Sequence, residues 1–587
     1  MRDFFFRIAV GIAVLASSIA TADSACNAVT LPTTGTRIVN VSTEPQLQTA
    51  MGNLQAGDTI VIANGTYNLT STLYINGKDN VTIRGNSGCD NVVLVGKGMN
   101  NSSFGNVPFG VWSNSTNTTV AHLTIRDTWD NELIFNAGAQ SPHVYSVKLL
   151  NAGSQFIKSN PTDAANGIGV NNGVVEYSWM EYTSGPPSHP GVEGYTNGIS
   201  AHAADNWIIR GNVFKNFHTP DTAVYLWNPA VLMWNHSTNT LTERNTFINV
   251  DRAVAYGLQN TNPPDHQGGT IRNNFVYLQP GLMSASRKSS SDGSIIVWGS
   301  PNTKVYHNTV LANANIFYSI EFRFAITTGG EARNNLADLA IHLRDSATAA
   351  MSGNLLTATS GMFVNPASAN LHLLSTATSA IDQAPTLAAV GDDFDGETRP
   401  QGTAYDIGAD EFSSGPPPCL FCDDFNDGFL NPAWTYEKPA WSESGGALTG
   451  TPGSKKAIAV ASPFSGCLVC SVETRVMFGT GTGDQAWIFG WYFDSNDRME
   501  LQIKEAQNKI LLKQRSANLI VTKKKATVTL SQNVFYIFRM VFDGTNFTVF
   551  MNGNPILTLA PKATVLPGTI GFQVSAAPAS FDYIQVQ

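Results

Sequence analysis

Most of the chain is written in short runs that alternate apolar and polar residues and are cut by Asn, Gly and Asp. A period of two is that of β-strands with one buried face. One stretch breaks the rule. From Thr43 to Gly57, Leu47, Ala50, Met51 and Leu54 follow helical spacing, with Thr43 as N-cap, Pro45 in the first turn and Gly57 as the stop. The pattern predicts a single amphipathic helix, placed to plug the open end of the core that the strands build.

Those strands repeat. A run ending in Asn recurs as TIRGN (Asn86), IIRGN (Asn212), LTERN (Asn245), TIRNN (Asn274), KVYHN (Asn308), EARNN (Asn335) and MSGN (Asn354). From Asn212 onward the spacings are 33, 29, 34, 27 and 19 residues, which predicts one solenoid coil per repeat with turns of variable length. Asn suits such a corner because it tolerates left-handed backbone, and stacked amides hydrogen-bond along the axis. These residues are assigned to structure.

A second β run precedes each corner: GISAHA, AVLMWN, AVAYGL, SIIVWG, SIEFRF and AIHLRD. In SIEFRF, Ile320, Phe322 and Phe324 are expected to point inward, and Glu321 and Arg323 outward. The same register puts His202, Trp234, Tyr256, Trp298, Arg323 and Arg344 in one outward column. At about 4.8 Å per coil the column is roughly 24 Å long. Aromatic faces beside hydrogen-bond donors are what a sugar chain requires, so His202, Trp234, Trp298 and Arg344 are candidate substrate-binding residues.

Composition and charge narrow the partners. At 587 residues the chain exceeds one ordinary core. Charged residues are 13%, the net charge is −9 and no basic run is long enough to hold a nucleic-acid backbone. Residues 1–22 read as a signal peptide: Arg2 and Arg7 flank an apolar stretch from Ile8 to Ala20, and Ala20-Thr21-Ala22 offers a cleavage site. The apolar stretch is shorter than the ~20 residues that span a bilayer. The expectation is a secreted monomer, extracellular or periplasmic, with no membrane partner once the signal is removed.

Six cysteines suit an oxidising compartment. Cys26 and Cys89 stand near the start, and Cys419-x-x-Cys422 and Cys467-x-x-Cys470 form a second group. Disulfides are expected rather than zinc, because the two CxxC pairs lie further apart than in a zinc ribbon. The segment DDFDGETRPQGTAYDIGADEF (392–412) has the acidic, Gly-rich look of a terminal cap. Asp392, Asp393 and Asp395 could bind calcium (Ca2+), although the twelve-residue EF-hand pattern is absent. No other cofactor is expected. Residues 413–418 make a stiff Pro-rich linker. Beyond it, 419–587 alternate in short strands between Gly, Asn and Asp turns, which predicts an antiparallel β-sandwich (jelly roll).

LQAGDTIVIANGTYNL, the IRGN and IRNN coils and the closing DIGADEF together resemble right-handed parallel β-helix repeat proteins of the pectate-lyase-like superfamily, over about residues 37–412. The tail, with FRMVFDGTNFTVFMNGNPI and GTIGFQVSAAPASFDYIQV, looks like laminin-G or concanavalin-like sandwiches, which often bind glycans. The resemblance implies an all-β chain: a solenoid over 23–412 with an N-terminal capping helix, then a sandwich. For activity it implies polysaccharide lyases, glycoside hydrolases, epimerases or binding proteins. Some β-helix lyases carry a catalytic Lys with an Arg on the next coil. Arg323 has a suitable place here, but Trp298 or Gly299 stands where the Lys would fall.

β-Elimination from a uronate needs a neutralised carboxylate, a base and an acid. The densest supply of such groups is Asp251-Arg252, Tyr256, Asp265-His266, Glu321 and Arg323. His266, in the PPDHQGG insertion, is expected on a loop over the groove as acid/base, with Tyr256 as partner and Arg323 on the carboxylate. Asp251-Arg252 could equally be a turn salt bridge, and Glu321 could simply pair with Arg323. The leading expectation is therefore a polysaccharide lyase acting on an acidic, uronate-containing extracellular polysaccharide. A hydrolase using paired carboxylates among Asp251, Asp265 and Glu321 and a non-catalytic glycan-binding surface protein are the alternatives.

Overall fold

A computed structural model describes residues 35–187, 197–219, 221, 229–413, 421–423, 425, 430, 434–437, 441–444, 446–453, 456–461, 470–481 and 483–586. The signal segment 1–22 and most of the linker 413–418 lie outside the described residues. The chain divides into two compact units, 1–414 and 415–587, each considered by itself. No helix among the described residues is long and apolar enough to cross a membrane.

The first unit is the expected parallel solenoid. Among the described residues, three parallel sheets of twelve, ten and ten strands run its length. Each coil visits them in a fixed order. Sheet A carries strands such as Ile208–Arg210 and Leu241–Glu243, sheet B Val213–Lys215 and Thr246–Ile248, and sheet C Pro229–Trp234 and Gly293–Trp298. Inward residues stack in register: Val175, Ile209, Thr242, Ile271 and Val305 on sheet A, and Met180, Phe214, Phe247 and Val276 on sheet B. Phe214 and Phe247 stack at 5.0 Å.

Asparagines hold the corner between sheets A and B. Asn212 N and Nδ2 both donate to Asn245 Oδ1 at 3.0 Å. The same pair of bonds runs from Asn245 to Asn274, Asn274 to Asn308, Asn308 to Asn335 and Asn335 to Asn354. Each Nδ2 also reaches a carbonyl of the coil before it, as Asn245 does to Ile209 O at 2.9 Å. Two details differ from expectation. The left-handed residue is the one before each ladder Asn: Gly211, Arg244, Asn273, His307, Asn334 and Gly353 have φ between 49° and 65°. That residue turns the chain, which leaves the Asn free to aim its amide inward. Asn86 shares the register but is exposed and outside the ladder, because the intervening coils carry Leu123 and Val147 at this position. The ladder instead begins at Ser178, whose N–H donates to Asn212 Oδ1.

The capping helix spans Glu44–Gly52, with Thr43 Oγ1 accepting from Gln46 N and with Leu47, Ala50 and Met51 buried. It ends earlier than expected, at Asn53, whose N–H bonds back to Thr49 and Ala50. Leu54 remains buried beyond it. The acidic segment proposed as an end cap is instead the last part of a strap, residues 356–412, that folds along the solenoid's side. Met362, Phe363, Leu371, Phe394 and Ile407 pack with Phe275, Tyr277, Leu311 and Leu336, the outward residues of sheet B. The strap's buried ion pair, Arg399 with Glu411 at 2.6 Å, has both side chains fully inaccessible.

The second unit consists of antiparallel eight- and seven-stranded sheets among the described residues, as a sandwich requires. Trp434, Trp491, Phe538, Phe572 and Phe581 belong to its core. The disulfide expectation is corrected only as far as the described residues reach: no disulfide joins two of them. Cys89, Cys422 and Cys470 are not free thiols, and Cys26, Cys419 and Cys467 lie outside the described residues.

Replacing one rung tests the ladder. Asn274→Ala removes the acceptor of the Asn245 backbone N–H and one of the two acceptors of Asn245 Nδ2, and takes the amide donor from Asn308 Oδ1; it is expected to cost about 2–4 kcal/mol in denaturant unfolding. Asn86→Ala, at an exposed site, is expected to change stability by less than about 0.5 kcal/mol.

Candidate functional site on the outer side of sheet C

Three faces of the solenoid carry three kinds of surface. Sheet A's outer side is an alternation of charges, Glu176 with Arg210 and Glu243 with Arg272, each at 2.7 Å. Sheet B is covered by the strap at its C-terminal coils. Sheet C presents an apolar seam of Leu232, Ala255, Ile296 and Trp298, with Trp234, Leu258 and Phe324 against it. The candidate chemistry gathers around that seam.

Strand pairing aligns His202 with Trp234, Trp298 with Arg323 and Arg323 with Arg344. Tyr256 is the exception. It pairs with Met233 and Val297, one step out of the column, and points into the core. Gly257 takes the column position instead, where a Cβ would lie 2.1 Å from the carbonyl oxygen of Trp298. The pairing is continuous through Val254, Ala255 and Tyr256, so Gly257 is the fifth residue of AVAYGL, as Trp234 and Trp298 are of AVLMWN and SIIVWG.

The acid/base expectation for His266 and Tyr256 is corrected by their burial. Both are 0% exposed, and their rings lie 4.3 Å apart inside the coil. Tyr256 Oη bonds to Thr242 Oγ1 and to the carbonyls of Thr240 and Thr270, and burial pushes its pKa up. His266 stands in a corner stack, between Ser300 Oγ at 2.8 Å and Thr240 Oγ1 at 3.2 Å. Burial holds it at about 3, so it stays neutral. Neither reaches a substrate. The PPDHQGG insertion folds its His inward and spends Asp265 on three backbone N–H groups, those of Asn235, Leu258 and Gln259.

The other candidates face outward in partnerships that differ from those expected. Asp251 does not pair with Arg252. It accepts from Thr219 N at 2.7 Å and meets His218 Nδ1 at 2.6 Å. Arg252 pairs with Asp292 instead, through Nε at 2.8 Å. Glu321 does not pair with Arg323 but with Arg344 at 3.3 Å and His342 at 3.2 Å; burial raises its pKa against the pull of those two groups. Arg323 is bound to Asp345 at 2.6 Å. Three guanidinium groups surround the Trp298 ring, Arg323 at 4.7 Å, Arg344 at 5.4 Å and Arg252 at 5.5 Å from its centroid. The Nε1 donors of Trp234 and Trp298 are buried without a hydrogen-bond partner.

Lys158 was missed. It lies in QFIKSN, one coil before His202, and pairs with Ser200 in sheet C. Its Nζ is 2.6 Å from His202 Nε2 and 3.3 Å from Ser200 Oγ. Burial lowers Lys158 to about 8, and burial with the nearby Lys158 charge lowers His202 to about 3. The sequence signal was Asn160, which holds the column position two residues on; aligning QFIKSN with GISAHA exposes it.

The calcium trio does not assemble. Asp392 binds Arg244, and Asp393 accepts from the backbone of Asp395, Glu397 and Glu411. One group of metal-ligating side chains does gather among the described residues: His372, Asp395 and Asp410.

No family model and no curated protein matches the chain. Solved structures match over about a quarter of its length. The carbohydrate-binding module CBM66 from Bacillus subtilis is 13% identical, over 26% of this chain and 95% of its own, with a TM-score of 0.24. The Bacillus licheniformis β-glucanase is 11% identical, over 28% and 97%, at 0.25. The laminarinase from Rhodothermus marinus is 13% identical, over 29% and 96%, also at 0.25. Likeness at this level says nothing of which residues act, or on what. What stands of the resemblance to the pectate-lyase-like superfamily is its architecture, a parallel solenoid with antiparallel sheets.

Lys158 gives a pH test. Its pKa is about 8 when folded against 10.5 for the free side chain, so between those values the unfolded chain binds more protons and stability rises with pH. Lys158→Met removes this slope. Wild type is expected to gain up to about 3 kcal/mol relative to the variant between pH 8 and 10.5, read by chemical unfolding at each pH.

Proposed function

We propose that the protein is exported, to the periplasm or the cell exterior, and binds an extracellular polysaccharide along the outer side of sheet C. The observation that carries this reading is the pair of tryptophans in one column whose indole N–H groups have no partner. A buried donor without an acceptor is costly, and sugar hydroxyl or carboxylate oxygens are acceptors of the right kind. The part-exposed indole of Trp234 offers stacking surface, whereas Trp298 is 7% exposed beneath its guanidinium groups. The three arginines around Trp298 favour a polymer bearing uronate carboxylates, for which guanidinium is the better-matched cation. His202, Trp234, Trp298, Arg323 and Arg344 are the proposed contacts, with Arg252 and Glu321 fixing the guanidinium positions. The sandwich is read as an accessory glycan-binding unit.

A second reading, β-elimination on the bound chain, is favoured by Lys158. A lysine held near 8 has a neutral fraction at mildly alkaline pH and can take the C5 proton. Hydrolysis has less support, since Asp251, Asp265 and Glu321 are all engaged in structural bonds.

Binding of the full chain to a panel of uronate-containing and neutral polysaccharides tests the first reading. Trp234→Ala with Trp298→Ala is expected to weaken binding at least tenfold while the circular dichroism of the solenoid is kept. Equal affinity in the double variant, or no binding to any polymer, sinks it. The same panel tests the second. Lyase action releases unsaturated uronide and is lost in Lys158→Met with binding retained, whereas hydrolysis gives reducing ends without unsaturation.

A further inference from the structure

The strap uses most of its acidic side chains to hold its own turns. Asp393 takes three backbone N–H groups. Asp406 accepts from Asp382 N and Phe412 N at 2.6 Å each, and Glu411 is bound to Arg399. Asp395 is different. Its side chain is 3% exposed and its Oδ2 faces His372 Nε2 at 2.9 Å. Its Oδ1 is buried with no hydrogen-bond partner. A buried carboxylate oxygen without a donor or a cation is expensive to keep.

His372 is set up to supply the missing partner's other ligand. Its Nδ1 lies 2.7 Å from Asn370 Oδ1, which only accepts, so Nδ1 carries the hydrogen. In the neutral ring Nε2 then keeps its lone pair, directed at Asp395. Metal-binding histidines are oriented by such an outer hydrogen bond. Phe275 and Phe394 pin the ring edge-on at 5.1 and 5.7 Å. Asp410 is fixed by Leu373 N, which donates to its Oδ2 at 2.7 Å. A ring nitrogen of His372 and one oxygen each of Asp395 and Asp410 lie within 4.8 Å of one another. Ligands sharing an ion at bonds of about 2.1 Å stand about 3–4 Å apart, so closing the site takes a shift of about an ångström.

We propose that His372, Asp395 and Asp410 bind a first-row divalent metal ion, Zn2+ or Mn2+, which ties the strap's own segments together where they pack over the outer side of sheet B. One imidazole with carboxylates matches those ions. Calcium requires six to eight oxygens, which this set does not supply. The competing state is a protonated His372 shared between Asn370 and Asp395, which binds no metal and leaves Asp395 Oδ1 unpartnered. The proposal is independent of the glycan reading.

The test uses the full chain, stripped with chelator and dialysed against Zn2+, Mn2+ or Ca2+, with metal content and thermal unfolding measured. Wild type is expected to retain one more equivalent of Zn2+ or Mn2+ than Asp395→Asn, and only wild type should melt higher with the metal. Asn370→Ala keeps all three ligands and is expected to bind roughly 10- to 100-fold more weakly. Equal metal content in wild type and Asp395→Asn overturns the site, as does retention of Ca2+ alone. Should Asp395→Asn fail to fold, unchanged affinity in Asn370→Ala overturns it.

Discussion

The surface of the solenoid's later coils depends on the buried amide stack that runs from Asn212 to Asn354. Each rung closes three kinds of bond at once: to the next amide, to the next backbone and to the coil before. A slip of one residue would drive an amide out of the stack and turn every inward side chain of that strand outward. The stack therefore fixes register coil by coil. Register in turn decides that Trp298, Arg323 and Arg344 share a line rather than scatter around the circumference.

A solenoid with three sheets has three outward sides, and this chain treats them differently. Sheet A is finished with ion pairs, Glu176 with Arg210 and Glu243 with Arg272. Sheet B keeps an outward apolar patch only because the strap covers it, and the strap in turn needs Arg399 and Glu411 paired out of water to hold its turns. Such a pair is stable only with every lone pair satisfied. Arg399 meets this by donating to Asp392, Gly408 and Ala409 carbonyls as well. Sheet C combines aromatic rings and cations with the unpartnered indole donors of Trp234 and Trp298, which places the candidate chemistry there.

Much of this was legible because a repeat makes one alignment serve many coils. The Asn corners, the outward column and the sandwich all follow from periodicity in TIRNN, SIEFRF and FYIFRMVF. Errors arose at particular coils. Tyr256 is the fourth residue of AVAYGL, where Met233 and Val297 stand in their runs, so the common register itself turns it inward. The polar residues of the PPDHQGG insertion looked like a loop over the groove, yet His266 continues a corner stack with Ser300, because a buried turn must satisfy its own backbone. Lys158 escaped because its coil lacks the aromatic that marked the others. His372 carries no motif at all; its relation to Asp395 and Asp410 is made by the strap's return, and no spacing in the sequence encodes it.

The solenoid also sets how the two readings of sheet C relate. Lys158 and the arginines around Trp298 are separated by several coils of about 4.8 Å each, well beyond one sugar ring. On the proposed reading the cationic cluster therefore meets a different part of the bound chain from the one near Lys158. β-Elimination needs the carboxylate of the attacked sugar neutralised within reach of the base. Beside Lys158 stands His202, held neutral at about 3 by burial and by the lysine's own charge. A neutral imidazole can donate a hydrogen bond to a carboxylate but cannot cancel its charge. On the proposed reading the arginines supply affinity and direction along the outer side of sheet C. Chemistry at Lys158 would have to draw its acidifying contact from His202 and from whatever the bound chain itself brings, and this is why binding stands as the first reading.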